Sequence, residues 1–268
     1  MPVTAPLSFR HAKVQRLRRL LGRRSARDAE GVFVAEGPTL LGEALSSGAQ
    51  VEAVFVAPRE PGAPDAAVVR AAWDAGVRVY DLAPGVLERV SATVTPQPVL
   101  AIVGRRSFSV EDLHGEAPVI VCVDVRDPGN LGTVLRSAEA AGAAGVVCCD
   151  GTVDVYNPKC VRASAGALFH VPVVAGGTPM TVLQLLAAAG RRRLGTAVGR
   201  GEDYASADLA GPVALVLGNE AHGLPAELEA SLDGFVHVPL SGRAESLNVG
   251  IACAVLCFEA ARQRRRVA

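Results

Sequence analysis

Five polar residues set beside two glycine-containing turns could concentrate chemistry in this 268-residue chain: Asn130, Arg136, Glu220, Ser246 and Asn248. Val213 to Leu217 is a short apolar run of strand character that stops at Gly218-Asn219-Glu220, so a carboxylate and open backbone meet where a parallel strand gives way to its loop. Open α/β sheets bind ligands at such strand ends. A second run, Phe235 to Leu240, leads into Ser241 to Glu245, and Ser246-Leu247-Asn248 then opens a helix that continues through Ile251, Val255 and Phe258. Ser246 is the expected N-cap of that helix. Upstream, Val119 to Val125 reads as a buried strand, Asp127-Pro128-Gly129 as the break after it, and Asn130 as the start of a helix that Gly142 ends. Arg136, about two turns in, shares a face with Gly132 and Thr133 and can reach back toward the strand ends. A helix start rich in Gly and Asn also suits a phosphate, which makes a nicotinamide or nucleotide enzyme one chemistry to weigh. That reading fails on detail: no GxGxxG follows the first strand, no Gly-Lys-Ser/Thr is present, and Gly195 to Gly201 lacks the spacing.

The residues are carried by recognisable stretches: NLGTVLRSA at Asn130 to Ala138, GNEAHGL from Gly218, VPL at Val238 to Leu240, and SLNV from Ser246. In order and spacing they resemble the three signature motifs of the SpoU (TrmH) branch of the SPOUT RNA methyltransferases. The resemblance covers about residues 118 to 262, and Tyr156 to Val173 is similar to the family's stretch between the first and second motifs. It implies transfer of a methyl group from S-adenosyl-L-methionine to a ribose 2′-hydroxyl of structured RNA, with ribosomal RNA ahead of tRNA. It also implies a homodimer that shares its sites. The fold implied is α/β: a C-terminal knotted (trefoil) parallel-sheet domain over residues 118–268, and a smaller N-terminal α/β/α substrate-binding domain over residues 1–106. Residues 107–117, polar and without periodicity, are expected as the linker. The catalytic set implied is Arg136, Asn130, Glu220, Ser246 and Asn248, and the cofactor is expected against Thr196, Leu217, Gly218, Val238, Leu240 and Leu247. In the family the arginine matching Arg136 is implicated in deprotonating the hydroxyl. A guanidinium is effectively always charged, so a clamp on phosphate and on developing alkoxide is the preferred description, with base action left open. The family commonly has serine where this chain has Gly250.

Each residue also has a structural role open to it: Glu220 as a helix N-terminal charge, Ser246 as a cap, Asn248 in a turn and Arg136 as a surface cation. His222 and His170 are read as structural. A catalytically silent RNA-binding or assembly protein is the rival class, and the joint presence of the five polar residues argues against it.

The elements that must position these residues follow from composition. Half the residues are apolar, enough for a sizeable core, and two domains fit the length. With 27 basic and 27 acidic residues no global field recommends a polyanion, so RNA contact must use local patches. Arg10, Lys13, Arg16, Arg18, Arg19, Arg23, Arg24 and Arg27 supply one, on a helix whose Val14, Leu17, Leu20 and Leu21 face inward. From Gly31 to Gly104 strands and helices alternate as in a small α/β/α sandwich. The six cysteines sit in apolar stretches without a CxxC pair, so no metal and no disulfide are expected. No apolar run approaches the roughly 18 residues of a membrane span, and the N-terminus has no signal-peptide core, so the chain is expected to be cytoplasmic.

Overall fold

The computed structural model describes residues 5–58, 62–91 and 95–267. Residues 1–4, 59–61, 92–94 and 268, which fall within the expected domain bounds, lie outside the described residues. The chain divides into two compact units, Met1–Arg106 with Tyr156–Phe169, and Ser107–Val155 with His170–Ala268.

In the first unit, helices α1 (Ala12–Gly22) and α2 (Arg24–Glu30) precede β1 (Val32–Glu36), α3 (Pro38–Ser46), β2 (Val51–Val56), α4 (Ala66–Asp74), β3 (Arg78–Asp81), α5 (Val86–Val90) and β4 (Val99–Gly104). The strands form a mixed sheet in the order β1-β4-β2-β3, with β4 antiparallel to both neighbours and β2 parallel to β3. Alternation along the strands assigns the faces: Val32, Val34, Phe55, Leu100 and Ile102 pack with Val14, Leu17, Leu20 and Leu21 of α1. The basic stretch is two helices rather than one, because Arg23 is extended and breaks the ladder. Its charges are also less available than the sequence implies. Arg27 is buried, donating to the Leu20 carbonyl at 2.7 Å, and Arg16 is paired with both Glu30 and Glu52.

The second unit contains β5 (Val119–Cys122), α6 (Pro128–Ala140) and β6 (Gly145–Cys148); then comes α7 (Pro158–Ala163), which belongs to the first unit; and β7 (Val173–Ala175), α8 (Pro179–Ala188), β8 (Arg192–Thr196), β9 (Glu202–Asp203), β10 (Val213–Leu217), β11 (Gly234–His237) and α9 (Val249–Val267) complete it. Its seven strands run in the order β7-β6-β5-β10-β8-β11-β9, and every neighbouring pair is parallel. β5 and β10 are buried along their whole length, as central strands covered on both faces must be. All six cysteines are free and buried. Burial, helped by the neighbouring Cys148 and Asp150, pushes the Cys149 thiol up to about 12, so it is inert near neutral pH. Among the described residues no helix is long and apolar enough to cross a membrane.

Two boundaries differ from the expected ones. Tyr156–Phe169, expected within the C-terminal domain, clusters with the first unit: Tyr156 and Phe169 lie 5.0 and 5.9 Å from the Phe33 ring, and Arg162 pairs at 2.9 Å with the buried Glu36 carboxylate. Sequence distance hides this, since the contacts span more than a hundred positions. Residues 107–117, expected as a linker, pack into the second unit. Val110 and Leu113 join its core, and the buried Arg191 donates to the carbonyls of Leu113, Gly115 and Ala117 at 2.9, 2.8 and 2.7 Å. Burial lowers the Arg191 pKa, yet three carbonyl acceptors satisfy its guanidinium. Arg191→Leu therefore leaves three carbonyls short of a donor, a loss of about 2–4 kcal/mol. Hydrogen exchange should show residues 107–117 losing protection before the β5 and β10 strands do; unchanged protection would remove Arg191 as their anchor.

Candidate active site

Four of the five polar residues, Asn130, Glu220, Ser246 and Asn248, are brought together by three chain breaks near the ends of the central strands. β5 ends one turn earlier than its apolar run suggests, at Cys122, and Asp124 takes a positive φ of 55° that turns the chain out. Helix α6 then begins at Pro128, not Asn130. Asp127 is its N-cap, accepting from the Gly129 and Asn130 amides at 2.7 and 2.9 Å, and proline with its fixed φ suits the first helical position. The stretch read as a breaker is the helix start. Helix α9 begins likewise with a different cap: Asn248 Oδ1 accepts from the Gly250 and Ile251 amides at 2.9 and 3.3 Å, while Ser246 lies two residues outside.

The third break is the loop after β10. Gly218 has no room for a side chain, since a Cβ would collide with the backbone of Gly223 and Leu224. Asn219 closes this loop by exchanging backbone hydrogen bonds with Gly223 at 3.0 and 2.9 Å. Its side chain accepts from the Ala221 and His222 amides and donates to the Asp124 carbonyl at 2.9 Å. That loop presents Glu220 to the start of α6, where its carboxylate accepts from the Arg126 and Asp127 amides, both at 3.2 Å, and from Asn130 Nδ2 at 2.9 Å. Asn130 Oδ1 in turn accepts from Asn248 Nδ2 at 2.8 Å. Asn248, Asn130 and Glu220 thus form one chain of hydrogen bonds that fixes both faces of the Asn130 amide. Burial raises the Glu220 pKa, but the Asn130 hydrogen bond and the backbone amides outweigh it and leave the carboxyl below the usual glutamate range.

Above this relay lies a cavity of about 490 Å³. Of the expected cofactor residues, Thr196, Gly218, Val238, Leu240 and Leu247 line it, together with Asn130, Glu220, Ser246 and Asn248. Leu217 does not: it is fully buried in the core, and its carbonyl accepts from the Val123 amide at 2.9 Å. Arg136 does not line the cavity either. It is exposed on α6, without a hydrogen bond or ion pair among the described residues. The walls also include residues the motifs did not single out, among them Val198, His237, Glu245 and Leu256. Volume and lining suit a nucleoside-sized organic cation: apolar side chains from two loops for a ring, and the carboxylates of Glu220 and Glu245 for positive charge.

Gly250 departs from the serine expected there, and its surroundings explain why glycine works: an added Cβ would sit 2.8 Å from Cβ and Cγ2 of Thr133. Its absence lets α6 and α9 pack closely beneath the cavity.

A model of the SpoU rRNA Methylase family matches residues 117–258, and one of the MRM3-like substrate binding domain matches residues 11–101. The chain is 36% identical to the 23S rRNA (guanosine(2553)-2′-O)-methyltransferase RlmP of Bacillus subtilis over 87% of its own length and 89% of the relative's. It is 31% identical to the 23S rRNA (uridine(2479)-2′-O)-methyltransferase of Streptomyces viridochromogenes over 98% of its length and 94% of the relative's. Among solved structures, the AdoMet-bound rRNA methyltransferase of Sinorhizobium meliloti superimposes with a TM-score of 0.83 at 32% identity, covering 94% of this chain and 95% of that one.

A depressed carboxyl contributes stability above its unfolded pKa, and that contribution is lost as pH falls through the lower folded value. The amides of Arg126 and Asp127 should accordingly be protected from exchange at neutral pH and lose that protection only below the usual glutamate range, near pH 4. In Glu220→Gln the acid-dependent step should vanish. Persistence of the step in that variant would assign it to another group.

Proposed function

This chain belongs to the SpoU rRNA methylase family, and from that premise we propose that it methylates a ribose 2′-hydroxyl of ribosomal RNA, 23S rRNA first, using S-adenosyl-L-methionine. The observation that carries the reading is the cavity: five of the six expected cofactor residues and four of the five expected polar residues converge on it. Bound there, S-adenosyl-L-methionine supplies a methyl group already activated on a sulfonium. The protein's work is therefore orientation of a weak nucleophile and management of its proton. The Asn248–Asn130–Glu220 chain holds a fixed amide at the cavity floor, a polar surface against which a ribose can be positioned.

Arg136 is proposed to act in trans. It lies on the face of α6 that carries Thr133, next to α9, and α9 keeps Cys253, Leu256, Cys257 and Ala260 for the core while leaving Ile251 and Phe258 49% and 48% exposed. With half-buried Val255 these form one apolar stripe that a second copy can cover, as is usual for homo-oligomers with a self-complementary face. A homodimer would carry each Arg136 to its partner's cavity, where a permanent cation clamps phosphate and stabilises the developing alkoxide. The trefoil threading belongs to the same reading. It is supported by the placement of β10 between β5 and β8, and by the passage of the chain after β11 back to the cavity. Residues 1–106 are assigned to substrate recognition, in line with the substrate-binding-domain match, and residues 118–268, less Tyr156–Phe169, to catalysis.

Arg136→Ala should leave cofactor affinity unchanged and lower methyl transfer to 23S rRNA by about 10²- to 10³-fold. Mixed with Leu240→Trp protein, which blocks the cavity, it should regain activity, since one of the two composite sites then holds both intact halves. Gly218 is unsuitable as the blocking site because any side chain there disrupts the loop. Verified subunit exchange without recovery, or a monomer that still methylates, would refute the shared site.

A further inference from the structure

In the first unit a groove of about 290 Å³ opens between α1 and the β2–β3 edge, and nothing in the cavity of the second unit needs it. Its floor is aromatic: the half-buried Tyr80 ring packs 5.5 Å from that of Phe55, side by side because Phe55 and Tyr80 are register partners on neighbouring parallel strands. Lys13, Arg16 and Arg78 line the walls with one acid, Glu52. Glu52 is spent on Arg16, which holds its carboxyl below the usual range. Lys13 and Arg78 are exposed and make no ion pair within 4.0 Å among the described residues; Arg78 adds a weaker pull on Glu52, and three cations against one carboxylate leave the groove net positive. Elsewhere in the unit Arg24 and Arg70 are exposed but paired, with Asp28 and Asp74; Arg18 and Arg89 are exposed without an ion pair among the described residues and lie over the Phe9 ring, outside this groove. The Lys13 ammonium rests 5.0 Å over the Tyr80 ring, a weak parking place that a phosphate outcompetes, since an exposed cation–π contact is worth only about 0.5–1 kcal/mol.

We infer that this groove takes an unpaired nucleotide of the RNA substrate, its phosphate between Lys13 and Arg78 and its base against Tyr80. The inference rests on the proposed RNA methyltransferase activity and names where the substrate is gripped away from the reacting ribose. Two exposed cations without an ion pair, beside an aromatic floor, match the pairing of phosphate contact with base stacking by which proteins hold unpaired RNA. Arg16, one of the basic residues of α1, is taken up by Glu52 and Glu30, which leaves Lys13 as the residue of that helix that the groove offers to a phosphate.

The test uses the full chain, in vitro transcribed 23S rRNA, and salt-dependent binding curves, with cofactor titration as a check that each variant is folded. Lys13→Gln and Arg78→Gln should each weaken binding and make the dependence of log affinity on log salt shallower by about 0.7–0.9. Tyr80→Leu should weaken binding about tenfold with the slope unchanged. Arg70→Gln, the same charge removed from a paired site on α4, should behave as wild type. If Lys13→Gln/Arg78→Gln binds with wild-type affinity and slope while the wild type methylates the transcript, the groove assignment is overturned and the activity stands. If the wild type binds cofactor but neither binds nor methylates the transcript, the activity reading falls, and the groove with it. Displacement of the transcript by poly-glutamate at equal charge concentration would assign the groove to an acidic protein instead, also overturning the inference.

Discussion

The side-chain amide of Asn130 is the constraint on which the site depends. One end of it donates to Glu220 at 2.9 Å and the other accepts from Asn248 at 2.8 Å. Each partner has a second task. Glu220 closes on the backbone amides that lead into α6, and Asn248 caps α9. Two helix starts and one strand-end loop are thereby tied through a single polar group, where unsatisfied donors would otherwise face the cavity. The packing below is equally specific, with Gly250 lying where any side chain would meet Thr133, so that the two helices can approach closely enough for the relay to close.

A site of this kind explains why no strongly perturbed catalytic base is needed. In the proposed reaction the cofactor's methyl is activated before it is bound, and the remaining barrier is one of alignment and of charge on the ribose oxygen, which the proposal gives to fixed dipoles and a permanent cation. Arg136 does not line the cavity of its own chain, and in the proposed homodimer the stripe of exposed Ile251 and Phe258 with half-buried Val255 is the face through which a second copy would supply it.

Much of this was legible in the sequence because the chemistry is local in sequence. The runs GNEAHGL and SLNV place Gly218, Glu220, Ser246, Leu247 and Asn248 around one cavity, and the strand ends that carry them are marked by abrupt loss of apolar residues. What was missed depends on contacts across long separations or on geometry finer than a pattern. Asp127-Pro128-Gly129 looks like a break, and only the cap hydrogen bonds reveal it as the first turn of α6. Ser246 and Asn248 are both good caps by type, and the choice of Asn248 follows from where the chain turns. The basic stretch before β1 reads as one cationic face; its pairing with Glu30 and Glu52, the latter 36 positions on, removes Arg16 from that face. Residues 107–117 look like a linker because their apolar residues are sparse and follow no period, yet Val110, Leu113 and the partly buried Phe108, with Arg191, pack the stretch down.

The account turns on a ribose 2′-hydroxyl being the acceptor, and the most direct measurement is a map of ribose methylation across ribosomal RNA and tRNA from cells with and without this gene. The account predicts one 23S rRNA ribose that loses its methyl group in the deletion and regains it from the wild-type chain but not from Asn130→Ala, which loses the fixed amide. Identical maps in the two strains, with no transfer by the purified protein to 23S rRNA stripped of modification, would contradict it.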